Sequence, residues 1–506
     1  MSRSSRLSKS RFVTGVQCHK LLWWTVHEAE AKELQPDKVL QDLFDQGRQV
    51  GEVARTRYPD GVLIDLPHRD VPARVEATKQ ALNAGARVVF EATFVAEGTY
   101  VAIDVLEKVG SGYRVTEVKS SSSLKDEHVP DVAVQARVAA AAGLDVTAAQ
   151  VLHLNKEFRH PDVGDLFASE DVTAVVAAFL PGVSDELARQ QEVLEELLPP
   201  DVPIGAHCFE PRDCPFLARC WPDSANHISH LTGVGPKRTV AYLERGISTI
   251  KDLPASEKLN FTQQRQLKAI AENRLIVEPT LARALEPFSG RLGFLDFETI
   301  QRAIPVWPGM FPWQQAPAQF SYHERQPDRT YTHAAFLAEG PEDARPRLAR
   351  AMVRATTKAD RVVTYTSFEK TRIRELRGAV PELAADLAAL EAKLIDLYPV
   401  VKNCVCHPGF KGSFSLKDIL NPLVPELTYD DLIIVDGRVA SVEIARLLFV
   451  ADKIRKPERD RVRRDLLNYC ERDTWAMVRL VEVLQELART GGRFPANTGH
   501  WPKANE

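Results

Sequence analysis

Ten residues, Arg291 to Ile300 (RLGFLDFETI), narrow the folds open to this chain more than any other stretch. The run is apolar enough to be a buried strand, yet it carries two acids, Asp296 and Glu298, two positions apart. Strand side chains alternate between faces, so both carboxylates belong to one face. Like charges held that close in an apolar setting are costly unless a cation lies between them, and a divalent metal is the simplest reason for the pair. D-x-E alone is a common pattern, and a solvated edge strand is its plainer reading. A distant stretch adds weight: Asn468 to Leu484 (NYCERDTWAMVRLVEVL) has helical apolar spacing and sets Tyr469 and Asp473 on one helix face at i and i+4. Strand and helix together predict an α/β domain built around a two-metal site.

A chain of 506 residues exceeds one ordinary core, so two or three domains are expected. The net charge of −4 excludes a uniformly basic nucleic-acid coat, and any such contact must come from local patches. No apolar run approaches the roughly 20 residues of a membrane span. The basic start MSRSSRLSKSRF is followed by no apolar signal core before Cys18, and a cytoplasmic protein without a membrane partner is expected. The seven cysteines are an odd number, which argues against a disulfide framework in that compartment.

Toward the N-terminus a polar helix is predicted over roughly Asp37 to Tyr58, and from Val88 onward β-branched runs broken at Gly98 and at Gly110 to Gly112 predict a meander. Glu91 comes first among its acids, Asp104 centres the apolar run VAIDVL, and Glu117 and Lys119 flank Val118. If Asp104 and Glu117 lie on neighbouring strands and point the same way, they form a metal site, with Lys119 placed to orient water or to stabilise charge developing on a phosphate. With Gln135 in the helical segment VAVQARVAAAAGL, this ordered set resembles the PD-(D/E)xK nuclease core of the RecB type, in which Glu91 matches the upstream acid. One cysteine ahead of that core and three behind it resemble the iron–sulfur subgroup of these nucleases, which includes CRISPR-adaptation exonucleases and AddB-type helicase-nucleases. The resemblance implies that Cys18, Cys208, Cys214 and Cys220 hold a 4Fe–4S cluster joining the two ends of the domain; such thiolates also suit zinc. The chain departs from that family in two places: no histidine stands near Gly47 to Gly51, and Ala139 replaces a frequent tyrosine four residues after Gln135.

Beyond Cys220, HISHLTGVGPKRTVAYLERGISTIKDLP resembles a helix-hairpin-helix unit, whose glycine turn and helix N-terminus hold a DNA phosphate without reading sequence; Lys237 and Arg238 are placed to help, and a plain helical linker is the alternative. Residues 257–287 read as a further helical connection. In the last third, RVVTYTSFEKTRIRELR predicts a strand and a helix with Glu369 at the turn, Pro341 to Thr356 predicts an amphipathic helix, and KIRKPERDRVRR is a basic run ahead of the Tyr469 helix.

Asp296-x-Glu298, an acid after V-x-Y-x-S-F, and Tyr469-x-x-x-Asp473, in that order, resemble the DEDD exonucleases of the RNase H-like, DnaQ-type fold in their tyrosine variant. The wording of LDFETI, YTSFEKTRI, GSFSLKDIL and YCERDT resembles more closely an uncharacterised bacterial family in which such a domain follows an iron–sulfur RecB-like one. Asp296, Glu298, Glu369 and Asp473 are then the implied ligands of two magnesium or manganese ions, and Tyr469 the group that positions the nucleophile. Glu369 stands where aspartate is usual, and Asp396 competes as fourth ligand.

The expected architecture is therefore α/β: a restriction-endonuclease-like PD-(D/E)xK domain over 1–225, a helical linker over 226–286 and an RNase H-like domain over 287–506. The expected activity is metal-dependent hydrolysis of DNA, at single-stranded ends or flaps, with 3′–5′ exonuclease action in the last domain and RNA left open. A non-catalytic nucleic-acid-binding or scaffold protein is the rival. No G-x-x-x-x-G-K-S/T phosphate loop occurs, so a helicase or other repair or defence protein is the expected partner for strand separation.

Overall fold

The structure, a computed structural model, describes residues 7–221, 224 and 226–492. The chain forms two units: Met1–Pro222 with Arg302–Gln314, and Asp223–Gln301 with Gln315–Glu506. The architecture is mixed α/β, with a seven-stranded, a five-stranded and a two-stranded sheet among the described residues.

In the first unit, capped helices lead into the meander. Helix α1 (Lys9–Gln17) begins where the Ser8 hydroxyl accepts from Arg11 N, and α2 (His19–His27) follows directly. α3 (Lys38–Arg55) starts at Asp37, whose carboxylate accepts from Leu40 N, and α4 (Val71–Asn83) at Asp70. Strands β1 (Val88–Ala96), β2 (Thr99–Val109) and β3 (Gly112–Lys119) then run antiparallel. Their turns need left-handed backbone, which Gly98 (φ +66°) and Gly110 (φ +59°) supply. From β3 the chain crosses over through α5 (His128–Ala141) to β4 (Val146–Leu154), parallel to β3, and β5 (Phe167–Asp171) closes the edge antiparallel to β4. α5 is apolar nearly all round because the sheet covers one side of it and α1 another. The core joins Phe12, Leu22, Val101, Ile103, Val132, Val138 and Val151. Arg302–Gln314 packs in this unit through Ala303 N, which donates to Gln46 Oε1 at 2.6 Å, and the Trp313 indole, which donates to Ser120 O at 2.5 Å.

The second unit opens with α6 (Pro236–Glu244) and α7 (Phe261–Glu272). The helical connection predicted over 257–287 is interrupted: Asn273 turns left-handed (φ +46°) to end α7, and Ile276–Val277 pairs with Val405–Cys406 as a small sheet. Then follow β6 (Leu292–Gln301), β7 (Gln315–Arg325), β8 (Tyr331–Leu337), α8 (Arg345–Thr356), β9 (Arg361–Thr364), α9 (Phe368–Ala379), α10 (Ala384–Lys393) and β10 (Leu394–Asp396). The sheet order is β8-β7-β6-β9-β10; β6 to β8 are antiparallel, and β9 and β10 run parallel to β6.

The longer helices that follow Leu416 are α11 (Leu416–Leu423), α12 (Gly437–Phe449) and α13 (Lys456–Thr490). The basic run lies largely inside α13, which begins at Lys456 with Pro457 in its first turn and runs 35 residues, roughly 52 Å at 1.5 Å per residue. β6 is buried on both faces. Leu295 and Phe297 pack toward Leu348, Met352 and Ile373, while Phe294 packs with Leu480 and Leu484 on the face that also holds the acids. No described helix is long and apolar enough to cross a membrane.

Candidate functional site

Period-two alternation on β6 puts Asp296 and Glu298 on the face crossed by α13, and the i, i+4 spacing of α13 brings Tyr469 and Asp473 to the same place. Carboxylate oxygens of Asp296, Glu298 and Asp473 lie within 4.8 Å of one another. Burial, then the neighbouring carboxylates, push Asp296 and Glu298 well above the usual carboxylate range, and burial raises Asp473 to about 6. Two buried acids and the half-buried Asp296, all with raised pKa values, fit a divalent cation, because a cation lets them ionise together.

Glu369, in the first turn of α9, is 2 % exposed and hydrogen-bonds to Asp296. Its Oε2 has no hydrogen-bond partner among the described residues. The turn that delivers it is strained, since Thr366, a β-branched residue, sits at φ +87°. Asp396 holds that turn: its Oδ1 accepts from Thr366 N and from Tyr398 N, each at 2.9 Å. Asp396 Oδ1 is thus taken up by backbone donors, while Glu369 keeps one buried oxygen without a hydrogen-bond partner among the described residues.

Three further side chains complete this site, and sequence reasoning missed them. Lys417 Nζ donates to the Tyr469 hydroxyl at 2.8 Å and lies over the rings of Tyr429 and Tyr469. The Tyr429 hydroxyl donates to Asp473 Oδ1, and the Cys470 thiol approaches Asp296 Oδ2 at 3.6 Å. At the N-terminus of α12 Gly437 lies against Glu298, where a Cβ would stand 3.4 Å from Glu298 Oε2 in ordinary contact. Tyr429 sits in a segment without periodic signal, and Lys417 in a helix legible from the serine cap of GSFSLKDIL but with nothing local to aim it at the acids; Cys470 could have been found from its place between Tyr469 and Asp473 on the helix.

In the first unit the structure gathers the other predicted set around Glu117. Lys119 Nζ donates to Glu117 Oε1 at 2.8 Å, and Gln135 Nε2, midway along α5, donates to Glu117 Oε2 at 2.7 Å. Asp104 Oδ2 accepts from Val118 N at 2.8 Å. Glu91 takes a left-handed backbone conformation within β1 (φ +57°), with the register to β2 unbroken on either side, and pairs with the buried Arg74 at 3.3 Å. Two residues outside the predicted set join them. Asp131 accepts from Lys119, and Lys9 Nζ stands between the two central acids, 2.8 Å from Glu117 Oε2 and 3.6 Å from Asp104 Oδ1.

Burial and the Glu117 charge push Asp104 up to about 7. Burial acts on Glu117 in the same direction, but the Lys119 and Lys9 ammoniums overcome it and hold that carboxyl well below its usual range. The pair Asp104 and Glu117 suits a divalent ion that displaces or joins the Lys9 ammonium.

Cys18, at the junction of α1 and α2, lines one recess with Cys208, Cys214 and Cys220, beside Leu21, Trp24 and Phe216. All four are free thiols, and burial pushes Cys214 up to about 11. Four thiols around one apolar recess offer the donor set of a thiolate-held cluster or of zinc, and no three of their sulfurs lie within 4.8 Å of one another, a spacing wider than zinc alone needs. Lys237 and Arg238 stand in the first turn of α6, after Gly233 (φ +71°); the Arg238 guanidinium is turned over the Tyr242 ring of its own helix, 6.0 Å from the centroid.

A family model described as a domain of unknown function, DUF2779, matches residues 293–415, a span that holds Asp296, Glu298, Glu369 and Asp396 and ends before Tyr429, Tyr469 and Asp473. The chain is also similar to an uncharacterised protein of Mycoplasma genitalium, MG366, with 26% identity over 222 residues, covering 40% of this chain and 33% of that protein. The chain thus spans about a third of that relative's length.

Proposed function

We propose that the protein is a metal-dependent nuclease that hydrolyses phosphodiester bonds of DNA, with the C-terminal unit acting on strand ends as a 3′–5′ exonuclease. The observation that carries this reading is the convergence of half-buried Asp296 with buried Glu298 and Asp473, with Tyr469 alongside. The sheet order, with three antiparallel strands followed by two parallel ones, supports an RNase H-like assignment of residues 287–506. The β-meander, crossover helix and Glu117-Lys119-Gln135 convergence support a RecB-like assignment of residues 1–225.

Two magnesium or manganese ions, when bound, would supply charge to activate water and to stabilise the leaving oxygen. Asp296, Glu298, Asp473 and Glu369 would hold them in the second unit, and Asp104 and Glu117 in the first. Tyr469, its hydroxyl fixed by Lys417, orients the attacking water, whose oxygen bonds to phosphorus as the bond to the departing sugar oxygen breaks. Lys119, fixed between Glu117 and Asp131, directs its ammonium at the non-bridging oxygens, where charge grows. Cys18, Cys208, Cys214 and Cys220 would carry the 4Fe–4S cluster, Lys237 and Arg238 contact backbone phosphates, and a helicase or another repair or defence protein would supply unpaired strands.

The test is cleavage of end-labelled single-stranded DNA by anaerobically purified protein with manganese, comparing wild type with Lys119→Ala and Asp473→Ala. A loss of about 100-fold or more in one variant assigns the cutting to that unit. The position of Lys9 favours a second reading in which the first unit binds nucleic acid and does not cut it; no cleavage of DNA or RNA by the wild type extends that scaffold reading to the whole chain.

A further inference from the structure

Beside α13, on the outer strands of the second sheet, two histidines face one another. His323 on β7 is the direct cross-strand partner of His333 on β8, with ring centroids 4.6 Å apart. Glu471 reaches them from α13, its Oε1 3.8 Å from His333 Nδ1. A nitrogen of each ring and a carboxylate oxygen of Glu471 lie within 4.8 Å of one another. None of these residues takes part in the acid cluster.

Proton bookkeeping decides what the two rings offer. The Thr474 hydroxyl lies 3.0 Å from Glu471 O, 2.8 Å from Ser321 Oγ and 2.9 Å from His323 Nδ1; when its hydrogen goes to the carbonyl, its oxygen receives from the other two. Ser321, having given its hydrogen to Thr474, accepts from His333 Nε2 at 2.9 Å. In that arrangement the hydrogens sit on Nδ1 of His323 and on Nε2 of His333. The lone pairs remain on Nε2 of His323 and Nδ1 of His333, the latter facing Glu471. A hydroxyl behind the protonated nitrogen of each ring fixes tautomer and orientation, which is how metal-binding imidazoles are supported. Burial lowers the pKa of both rings, His323 to about 3, so both are neutral at physiological pH.

We infer that His323, His333 and Glu471 form a transition-metal site of the zinc class, separate from the acid cluster. Two imidazoles and one carboxylate select zinc, cobalt or nickel over magnesium, and three protein ligands leave a position for water. The bound ion would tie the edge strand β8 to α13, two residues from Asp473. The inference uses none of the residues that carry the nuclease reading and stands or falls without it.

The test uses full-length protein, purified anaerobically, stripped of labile metal and kept in excess magnesium so that the acid clusters are filled. Cobalt(II) is titrated into wild type, His333→Ala and Glu471→Gln while visible absorption and bound cobalt are measured; any cobalt in the cysteine recess shows separately by its intense thiolate charge-transfer bands. The expected result is one imidazole-type equivalent in the wild type, lost or weakened at least tenfold in either variant, with the thiolate bands unchanged. Glu471 lies toward solvent on α13, so Glu471→Gln keeps the test open if His333→Ala does not fold. Equal cobalt stoichiometry and affinity in wild type and in every variant that folds would overturn the inference.

Discussion

Single side chains in this molecule act mainly by setting the charge of others. The Tyr429 hydroxyl lowers Asp473 by donating to it, against the burial that raises it to about 6. Tyr429→Phe removes the donor, so the acid limb of manganese-dependent activity is expected to move to higher pH; a pH–rate profile that stays in place would discount the bond. Asp296, Glu298 and Asp473 all have folded pKa values above those of free carboxyls, so the native state binds more protons than the unfolded one and metal-free stability falls as pH rises from about 4 through 6. Metal ligation needs the ionised forms and reverses that trend, so the manganese-induced rise in melting temperature is expected to be larger at pH 8 than at pH 5.5 and to shrink in Asp473→Asn.

Lys9 presents the same balance in the first unit. Lys9→Met leaves half-buried Asp104 without its ammonium and buried Glu117 with Lys119 alone, and a destabilisation of about 3 kcal/mol is expected without metal, with manganese restoring most of it; thermal melts of both proteins with and without the ion decide. Sequence exposed the residues whose spacing is periodic: Asp296 and Glu298 by the strand period, Tyr469 and Asp473 by the helical one. It could not expose Lys9, Asp131, Lys417 or Tyr429, which reach their sites from segments 12 or more residues away and bear no local mark of it.

Elements divide in the same way. The meander and the helix at Lys38–Arg55 were legible because β-branched runs, glycine turns and an aspartate cap write them locally. The merging of the basic run with the Tyr469 segment into one helix was not, since arginines and lysines on a solvated face carry no apolar period. The ending of α7 at Asn273 was also hidden, because asparagine is only an occasional left-handed cap. α13 is held to the sheet by an apolar stripe that includes Leu480 and the fully buried Leu484. Leu484→Ala, far along the helix from the acids, is expected to cost about 2–5 kcal/mol in urea unfolding while leaving the metal requirement of the folded protein unchanged.

On the scale of the molecule, the recess that Cys18, Cys208, Cys214 and Cys220 line draws both ends of the first unit's sequence to one place. If these cysteines hold the iron–sulfur cluster, anaerobically purified protein contains iron and inorganic sulfide, and Cys18→Ser removes both and lowers the melting temperature of that unit. Zinc without sulfide would instead identify a plain thiolate site. The span matched by the family model, residues 293–415, contains the sheet of the second unit but stops before α13 begins at Lys456. A recombinant fragment trimmed to that span would lose Tyr469 and Asp473 and would leave Phe294 uncovered beside two carboxylates. Such a fragment is expected to aggregate on expression, and its failure to bind manganese would say nothing about the intact chain.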